Sequence, residues 1–306
     1  MIVVTPLVIT AANLTSSNVA EPYADEVVWN AADNHTLGQE RIRLTTHRKY
    51  KNILAGIDAG LPENTPLRWV ESGVTNKYAM FDQYRSTQTS VASSLIVTIT
   101  AAKRINSFAV IGMVGDMLNV KVMQGETEIY NFTKNLSTRI VTGYYSYCYA
   151  PFGNMTAIAQ FDLPPASNGV ITMTLSSSTG TVKCGGFVVG NQTYIGALKY
   201  GATIGALNFS RIERAFDGTF NGSATLVPRP SKPEIIGQLV SDASITNTLM
   251  ALRESLDGVP AVFSGLDDEI NDTRYSALLV SGLLRKLTPS LDYPDTNNVD
   301  ILVEEI

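Results

Sequence analysis

Short apolar runs recur along residues 74–196 at nearly regular spacing, with turn residues between them. The runs are rich in Val, Ile and Thr, which favour strands, and the Gly, Pro and Asn between them mark turns. They lie at residues 91–100, 108–114, 120–122, 129–132, 158–163, 169–175 and 186–189. Short strands joined by turns in this way pack as antiparallel sheets. The spacing therefore predicts an antiparallel β-sandwich for residues 74–196.

The pattern changes after residue 196, where one helical period appears. A helix is predicted over residues 242–256, because its apolar residues recur at steps of four, three and four and so share one face. These residues are Ile245, Leu249, Leu252 and Leu256. Ser241 or Asp242 is suited to cap the helix, and Gly258 to end it. Strands are predicted at residues 200–212, 222–227, 260–263, 277–284 and 299–303, so residues 197–306 read as an α+β domain.

The N-terminal quarter divides into an extended strand or arm over residues 1–25 and a compact segment over residues 26–73. Trp29, Tyr50 and Trp69 are the large anchors of that segment, and residues 41–54 alternate in part as a strand pair does. The predicted fold class is therefore mainly β: a small β module, an antiparallel sandwich and a C-terminal α+β domain with one main helix.

The charge content is low and slightly acidic, which limits the classes of partner. Charged residues make up 17% of the chain and the net charge is −5, which argues against a nucleic-acid surface. No apolar run is long enough for a membrane helix, and the start lacks a signal-peptide layout. We expect accumulation in the cytoplasm where the chain is made. A weakly charged, strand-rich chain must cover its edges and faces, and burial against partner subunits is one way to do so.

The residue inventory contains no recognisable catalytic or metal-binding pattern. His35 and His47 are the two histidines, and neither has metal-ligand spacing. The acidic residues Asp267, Asp268 and Glu269 lack the alternation of a calcium loop and are interpreted as a polar loop tip. We therefore predict no catalytic residue, no metal and no cofactor, and expect that the protein is not an enzyme. Paired carboxylates of a polysaccharide-degrading enzyme remain an alternative, because sequence does not give their separation.

Two cysteines, Cys148 and Cys184, both lie among apolar and aromatic residues. Two cysteines define no disulfide framework, so buried free thiols are predicted. A single bridge between them is the alternative.

The aromatic residues of the small segment allow two interpretations. Exposed Trp and Tyr rings stack on flat sugar faces at little entropic cost, which makes Trp29, Tyr50 and Trp69 candidate carbohydrate-binding residues. The alternative is that these rings are the core of the segment.

Residues 26–73 resemble the small carbohydrate-binding modules of chitinases in the order of their aromatic, Gly and Pro residues. The match begins with residues 29–31 (WNA) and 35–38 (HTLG) and continues through Tyr50, residues 60–62 (GLP) and Trp69. His35 stands where the module pattern has Tyr, and Gln39 where it has Asp. One stacking ring is thus lost, so the resemblance implies the fold more strongly than sugar binding.

A second resemblance extends over nearly the whole chain, to a virion protein family of tailed phages and prophages of Gram-negative bacteria. It is carried by residues 14–22 (LTSSNVAEP), 46–50 (THRKY), 73–82 (GVTNKYAMFD), 184–190 (CGGFVVG) and 300–306 (DILVEEI). The middle part resembles galactose-binding-like jelly rolls. The final strand, which follows a helix, is similar to the end of distal tail proteins.

This resemblance implies a structural role at the phage tail tip. A distal tail protein forms a ring, expected to be a hexamer, that joins the tail tube to the baseplate hub. The C-terminal α+β domain would form the ring, and the two β domains would face outward. The expected location is the virion tail, after assembly in the host cytoplasm, and the expected partners are copies of the chain and other tail proteins. A neck or collar protein and a virion protein that binds host-surface glycans are the alternatives.

Overall fold

A computed structural model describes residues 1–57, 59–82, 84–138, 141–166, 168–214, 224–265, 277–291 and 293–306. The chain divides into two compact units. The first unit consists of Met1–Pro6, Ile158–Phe161 and Val189–Ile306, and the second of Leu7–Ala157 and Asp162–Val188. The four-part division predicted from the sequence stays a prediction.

Strands dominate both units. In chain order they are β1 (Ile2–Pro6), β2 (Leu14–Ser17), β3 (Asn34–His35), β4 (Glu40–Arg43), β5 (Arg48–Asn52), β6 (Gly56–Ile57), β7 (Trp69–Val74), β8 (Thr89–Thr100), β9 (Ser107–Ile111), β10 (Met117–Gln124), β11 (Thr127–Asn135), β12 (Ser137–Thr138), β13 (Gly153–Asn154), β14 (Ala157–Gln160), β15 (Val170–Cys184), β16 (Gly186–Tyr194), β17 (Ala197–Leu198), β18 (Thr203–Leu207), β19 (Arg211–Arg214), β20 (Ala224–Val227), β21 (Lys232–Asp242), β22 (Ala261–Ser264), β23 (Leu279–Ser290) and β24 (Thr296–Glu305). The α-helices are α1 (Tyr144–Tyr149) and α2 (Thr246–Ser255), and single 3-10 turns lie at Pro62–Asn64, Ala79–Phe81 and Ala243–Ile245.

The first unit is built on an antiparallel sheet backed by the main helix. Strands β16, β1, β22, β23, β24 and β21 pair in that order, and β17 and β18 both pair with β21. Alternate residues of β24 are buried, as expected of a strand with one face on a core. The buried face packs against Leu249, Leu252 and Leu256 of the helical segment. The N-terminal strand β1 is thus an inner strand of this sheet.

The helix predicted over residues 242–256 is a 3-10 turn, Ala243–Ile245, followed by α2, Thr246–Ser255. Asp242 Oδ1 accepts a hydrogen bond from Ser244 N at 2.7 Å, which starts the 3-10 turn ahead of α2. Gly258 has φ +70°, a left-handed conformation that suits Gly after a helix. Thr246 Oγ1 accepts from the buried Asn297 Nδ2 at 2.7 Å, which joins the helix to β24.

The second unit contains a five-stranded antiparallel sheet in the order β11-β10-β15-β8-β2. The second unit also contains a smaller three-stranded sheet, β4-β5-β7, and the strand pairs β3-β6 and β12-β13. Strand β11 lies at one edge of the larger sheet, and its residues are exposed or half-buried throughout.

The predicted fold class is confirmed, since the molecule is mainly β with antiparallel sheets and one main helix. The strand predicted at residues 200–212 is wrong as a single element, because β18 and β19 are separate strands with different partners. The strand predicted at 277–284 extends to Ser290 as β23. Its residues 277 and 278 precede the strand. The acidic residues Asp267, Asp268 and Glu269 lie outside the described residues.

Candidate functional site

The three aromatic residues predicted to bind sugar form one cluster in the interior of the small segment. Trp29, Tyr50 and Trp69 pack together and keep 9%, 6% and 2% of their surface exposed. Strand pairing brings them together, because Tyr50 lies in β5 and Trp69 begins the neighbouring β7. The core alternative describes these positions, since rings so deeply buried present little face to a sugar.

His35 completes this cluster. Its ring stacks against Trp29, with centroids 6.5 Å apart and planes at 15°, and meets the edge of Trp69 at 4.9 Å. His35 Nε2 lies 3.1 Å from the carbonyl oxygen of Asn30. The Arg43 guanidinium lies 5.2 Å from the centre of the Trp29 ring. His35 is therefore a packing residue, in place of the Tyr that the module pattern has there.

A cleft of about 970 Å³ lies elsewhere in the second unit. It is lined by residues from three separate parts of the chain: 8–11, 45–48 and 71–87 in part. Its charged and aromatic lining side chains, together with a histidine, are His47, Arg48, Glu71, Tyr78, Phe81, Asp82 and Tyr84. A cavity of this size, with aromatic rings and a few polar groups, is typical of a small-molecule site.

His47 is held at the cleft by a buried carboxylate. Its Nδ1 lies 3.0 Å from both carboxylate oxygens of Glu21, whose side chain is 7% exposed. Thr75 Oγ1 donates to Glu21 Oε1 at 2.7 Å. Because an ionised carboxylate only accepts hydrogen bonds, His47 Nδ1 is assigned as the donor. Nε2 has no hydrogen-bond partner in the described part of the chain, and His47 lines the cleft.

The backbone and a neighbouring ring fix the orientation of His47 further. Its φ of +56° places it in the left-handed region, at the end of the turn between β4 and β5. Its carbonyl oxygen accepts from Thr75 N at 3.0 Å. Tyr78 stacks on the imidazole with a centroid distance of 4.1 Å. Burial, and secondarily the charge of Glu21, raises the pKa of Tyr78, so its hydroxyl stays protonated at neutral pH.

Two more carboxylates line the cleft in different settings. Glu71 accepts a hydrogen bond from Arg48 Nη1, and both side chains are about half exposed. Asp82 accepts from Tyr84 N at 2.8 Å and from Thr87 Oγ1. Burial raises the pKa of Asp82, although those two hydrogen bonds and the charge of Arg48 oppose the shift. The cleft thus offers donors and acceptors at several points.

A second exposed feature of the same unit is the segment of residues 141–152, which we call the tyrosine arm. It carries α1, in which no residue is buried, between the paired strands β12 and β13. Ser146 Oγ accepts from Thr142 N and Gly143 N at 2.9 Å each, which fixes the start of the helix. The five large aromatic residues keep between 59% and 85% of their surface exposed: Tyr144, Tyr145, Tyr147, Tyr149 and Phe152.

The two cysteines differ in exposure, and one of them lies in the tyrosine arm. Cys148 lies in α1 and is exposed, whereas Cys184 is buried, and both are free thiols. The prediction of buried free thiols is therefore confirmed for Cys184 and wrong for Cys148, because α1 points its side chains outward. The alternative of a bridge is excluded.

Neither a metal site nor a membrane-spanning helix occurs in the part of the chain that the structure describes. In the described ranges, no three His, Cys, Asp or Glu residues lie close enough together to hold a metal ion. Among the helices that the structure describes, none has the length and apolar character needed to cross a bilayer.

Comparison with known proteins places the chain in no family. No protein-family model matches it, and no curated protein matches it. Among solved structures, it is similar to a mutant of chitosan-binding module 1 derived from a chitosanase/glucanase of Paenibacillus sp. IK-5, at 12% identity and a TM-score of 0.25. That similarity covers 37% of this chain and 82% of the module. A similarity this low assigns neither a fold family nor a ligand.

Proposed function

We propose that the protein is a structural component of a tailed-phage particle, a distal tail protein that joins the tail tube to the baseplate. The observation that carries this proposal is the tyrosine arm. Large exposed apolar patches on soluble proteins mark interaction surfaces, and Tyr is enriched where proteins meet. The arm contacts a neighbouring protein of the particle in this proposal.

The composition of the arm supports a permanent contact. Residues 141–152 contain no Asp, Glu, Lys or Arg, although charged residues make up 17% of the whole chain. Depletion of charge together with enrichment of Tyr is typical of the centre of an interface. An aromatic segment left open to water promotes aggregation, and a partner surface removes that liability.

Strand edges support self-assembly into the proposed ring. In the first unit β18 pairs with β21 on one side and is largely exposed. An edge strand offers backbone groups for pairing with another chain. The ring-forming role of residues 197–306 rests on such pairing between copies.

The position in the particle and the role of the arm can be tested together. Gold-labelled antibody against the protein, viewed on intact particles by electron microscopy, is expected at the tail tip, and label at the neck would favour the collar alternative. A variant with Tyr144, Tyr145, Tyr147 and Tyr149 changed to Ser is expected to fold but to be absent from particles. Leu67→Ser is the control, because Leu67 is 90% exposed and lies outside both the arm and residues 197–306. Normal incorporation of the four-residue variant would remove the arm from the proposal.

Trp29, Tyr50 and Trp69 are buried and therefore do not support binding of host-surface glycans through their rings.

A further inference from the structure

We propose that the cleft lined by His47, Arg48, Glu71 and Asp82 binds an uncharged, hydroxyl-rich ligand, namely a neutral oligosaccharide. This inference goes beyond the structural role, and it places glycan recognition at residues other than the three buried rings. Each of these four side chains can hydrogen-bond to a hydroxyl, and several aromatic rings also line the cleft.

The charges of the lining favour a neutral ligand. The two acidic side chains Glu71 and Asp82 stand against one permanent cation, Arg48, and a histidine. The charge of Arg48 is offset by Glu71, so the lining has no excess of positive charge to attract an anion. A phosphate or a carboxylate sugar would face Asp82 and Glu71, and like charges at short distance repel. A cationic ligand would in turn meet Arg48.

His47 suits a hydroxyl in either protonation state. Because Glu21 engages Nδ1, Nε2 accepts a hydrogen bond when the imidazole is neutral and donates one when it is protonated. A ligand hydroxyl is both donor and acceptor, so it satisfies Nε2 in both states. A carboxylate only accepts and so pairs only with the protonated imidazole, whereas an ammonium group only donates and so pairs only with the neutral imidazole.

Asp82 gains from the same kind of ligand. Its carboxyl has lost part of its hydration by burial, and two protein donors, Tyr84 N and Thr87 Oγ1, replace part of it. A ligand hydroxyl supplies a further donor in place of water. Hydrogen bonds to charged groups are stronger than those between neutral groups, which makes this a specific contact.

The aromatic rings that line the cleft and the volume of the cleft also favour an oligosaccharide. Tyr78, Phe81 and Tyr84 all line the cleft, and Tyr84 is about half exposed. Sugars present C–H faces that pack on such rings, while their hydroxyls point to the polar groups around them. A volume of about 970 Å³ exceeds the needs of a single sugar ring, so an oligosaccharide fits better than a monosaccharide.

The test uses the full-length protein and a panel of defined probes. Cellopentaose, chitopentaose and maltopentaose are the neutral probes, and tetragalacturonic acid is the anionic probe, each titrated by calorimetry. At least one neutral probe is expected to bind, and the anionic probe is expected not to bind. Binding of the anionic probe alone, or of none of the four, would overturn the proposal.

Two variants locate the binding. His47→Asn removes the imidazole but keeps a residue that tolerates the left-handed backbone at this position, and Arg48→Ala removes the guanidinium. Each is expected to weaken binding of the neutral probe by roughly tenfold or more, a change equivalent to about 1.4 kcal/mol. Arg285→Ala is the control, because Arg285 is about half exposed, forms an ion pair with Glu304 at 2.8 Å and is not among the residues that line the cleft.

The outcomes separate this proposal from the structural one. Folding of each variant is confirmed by circular dichroism and melting temperature before titration. Neutral-probe binding that survives in both folded cleft variants would place the site elsewhere and overturn the inference. Incorporation of His47→Asn into particles is expected to be normal, so failure of assembly and failure of sugar binding are distinguishable.

Discussion

His47 Nδ1 lies 3.0 Å from each carboxylate oxygen of Glu21. The two residues are 26 positions apart in sequence. They meet because the turn before β5 brings His47 next to the N-terminal segment of residues 1–25. Thr75, which directly follows β7, also donates a hydrogen bond from its hydroxyl to Glu21. This arrangement makes a nearly fully buried carboxylate the support of a histidine at an open cleft.

Replacing that carboxylate by an amide is expected to destabilise the second unit. In Glu21→Gln, one of the two donors, His47 or Thr75, faces an amide NH₂ group in place of an oxygen. Leaving a buried donor unpaired costs about 1–3 kcal/mol, which urea denaturation measures. Glu71→Gln, at a half-exposed carboxylate, is the control and is expected to change stability by no more than about 0.5 kcal/mol. Equal losses for both variants would contradict the supporting role of Glu21.

The buried cluster of the small segment makes a second prediction. Trp69→Ala removes a ring that is 2% exposed, and loss of such a core side chain costs about 3–5 kcal/mol. Tyr147→Ala, in the tyrosine arm, is expected to stay within about 0.5 kcal/mol of the wild type. Chemical denaturation followed by fluorescence compares the two. If Trp69→Ala were as stable as Tyr147→Ala, Trp69 would not be a core residue.

Asp82 makes the stability of the second unit depend on pH in a definite direction. Burial raises its pKa in the folded state, so folding favours the protonated carboxyl. The associated stability is fully present below the ordinary Asp pKa and is lost as the pH rises through the raised value. Asp82→Asn, which stays neutral, is therefore expected to be more stable than the wild type at pH 7.

The stability advantage of Asp82→Asn is expected to shrink as the pH falls, and to vanish below the ordinary Asp pKa. Thermal melts of both proteins across the acid range measure it. An advantage that grew on acidification would show that the folded-state pKa of Asp82 is lowered. Asp300→Asn is a useful comparison, because hydrogen bonds from Lys286 and Gln238 lower the pKa of Asp300 and its effect should have the opposite sign.

The two cysteines are expected to differ sharply in reactivity. Burial raises the pKa of Cys184 to about 12, and only the thiolate attacks alkylating reagents. Mass spectrometry after iodoacetamide treatment is expected to show modification at Cys148 alone in the native protein, and at both sites after denaturation. Cys148→Ser is the control and should leave the native protein unmodified. Native labelling of Cys184 would contradict its burial.

Local sequence patterns predicted much of the fold. Residues 91–100 fall within β8 (Thr89–Thr100), and the predicted helix coincides with the 3-10 turn and α2. These elements have a clear period, and one face of each is buried. The apolar pattern did not predict the full length of every strand. The strand predicted at residues 277–284 ends too early, because β23 continues to Ser290 and contains Pro289, opposite Val299.

The candidate site was much harder to predict. The sequence marked Trp29, Tyr50 and Trp69 because of their residue type, which does not say whether a ring faces inward or outward. His47 and Glu21 carry no motif, since their pairing depends on long-range folding. The available signal was positional: residues 46–50 and 73–82, quoted for the phage resemblance, both contribute to the cleft. The sequence of the tyrosine arm is aromatic and free of charged residues, but this pattern does not say whether the rings are exposed.

The central claim, a ring-forming structural protein of the phage tail, is tested most directly by cryo-electron microscopy of intact particles, together with sedimentation of the purified protein. The claim predicts a sedimenting species of hexamer size, and density at the tail tip into which copies of the first unit fit as a closed ring. A protein that stays monomeric at high concentration, with no matching density at the tail tip, would contradict it.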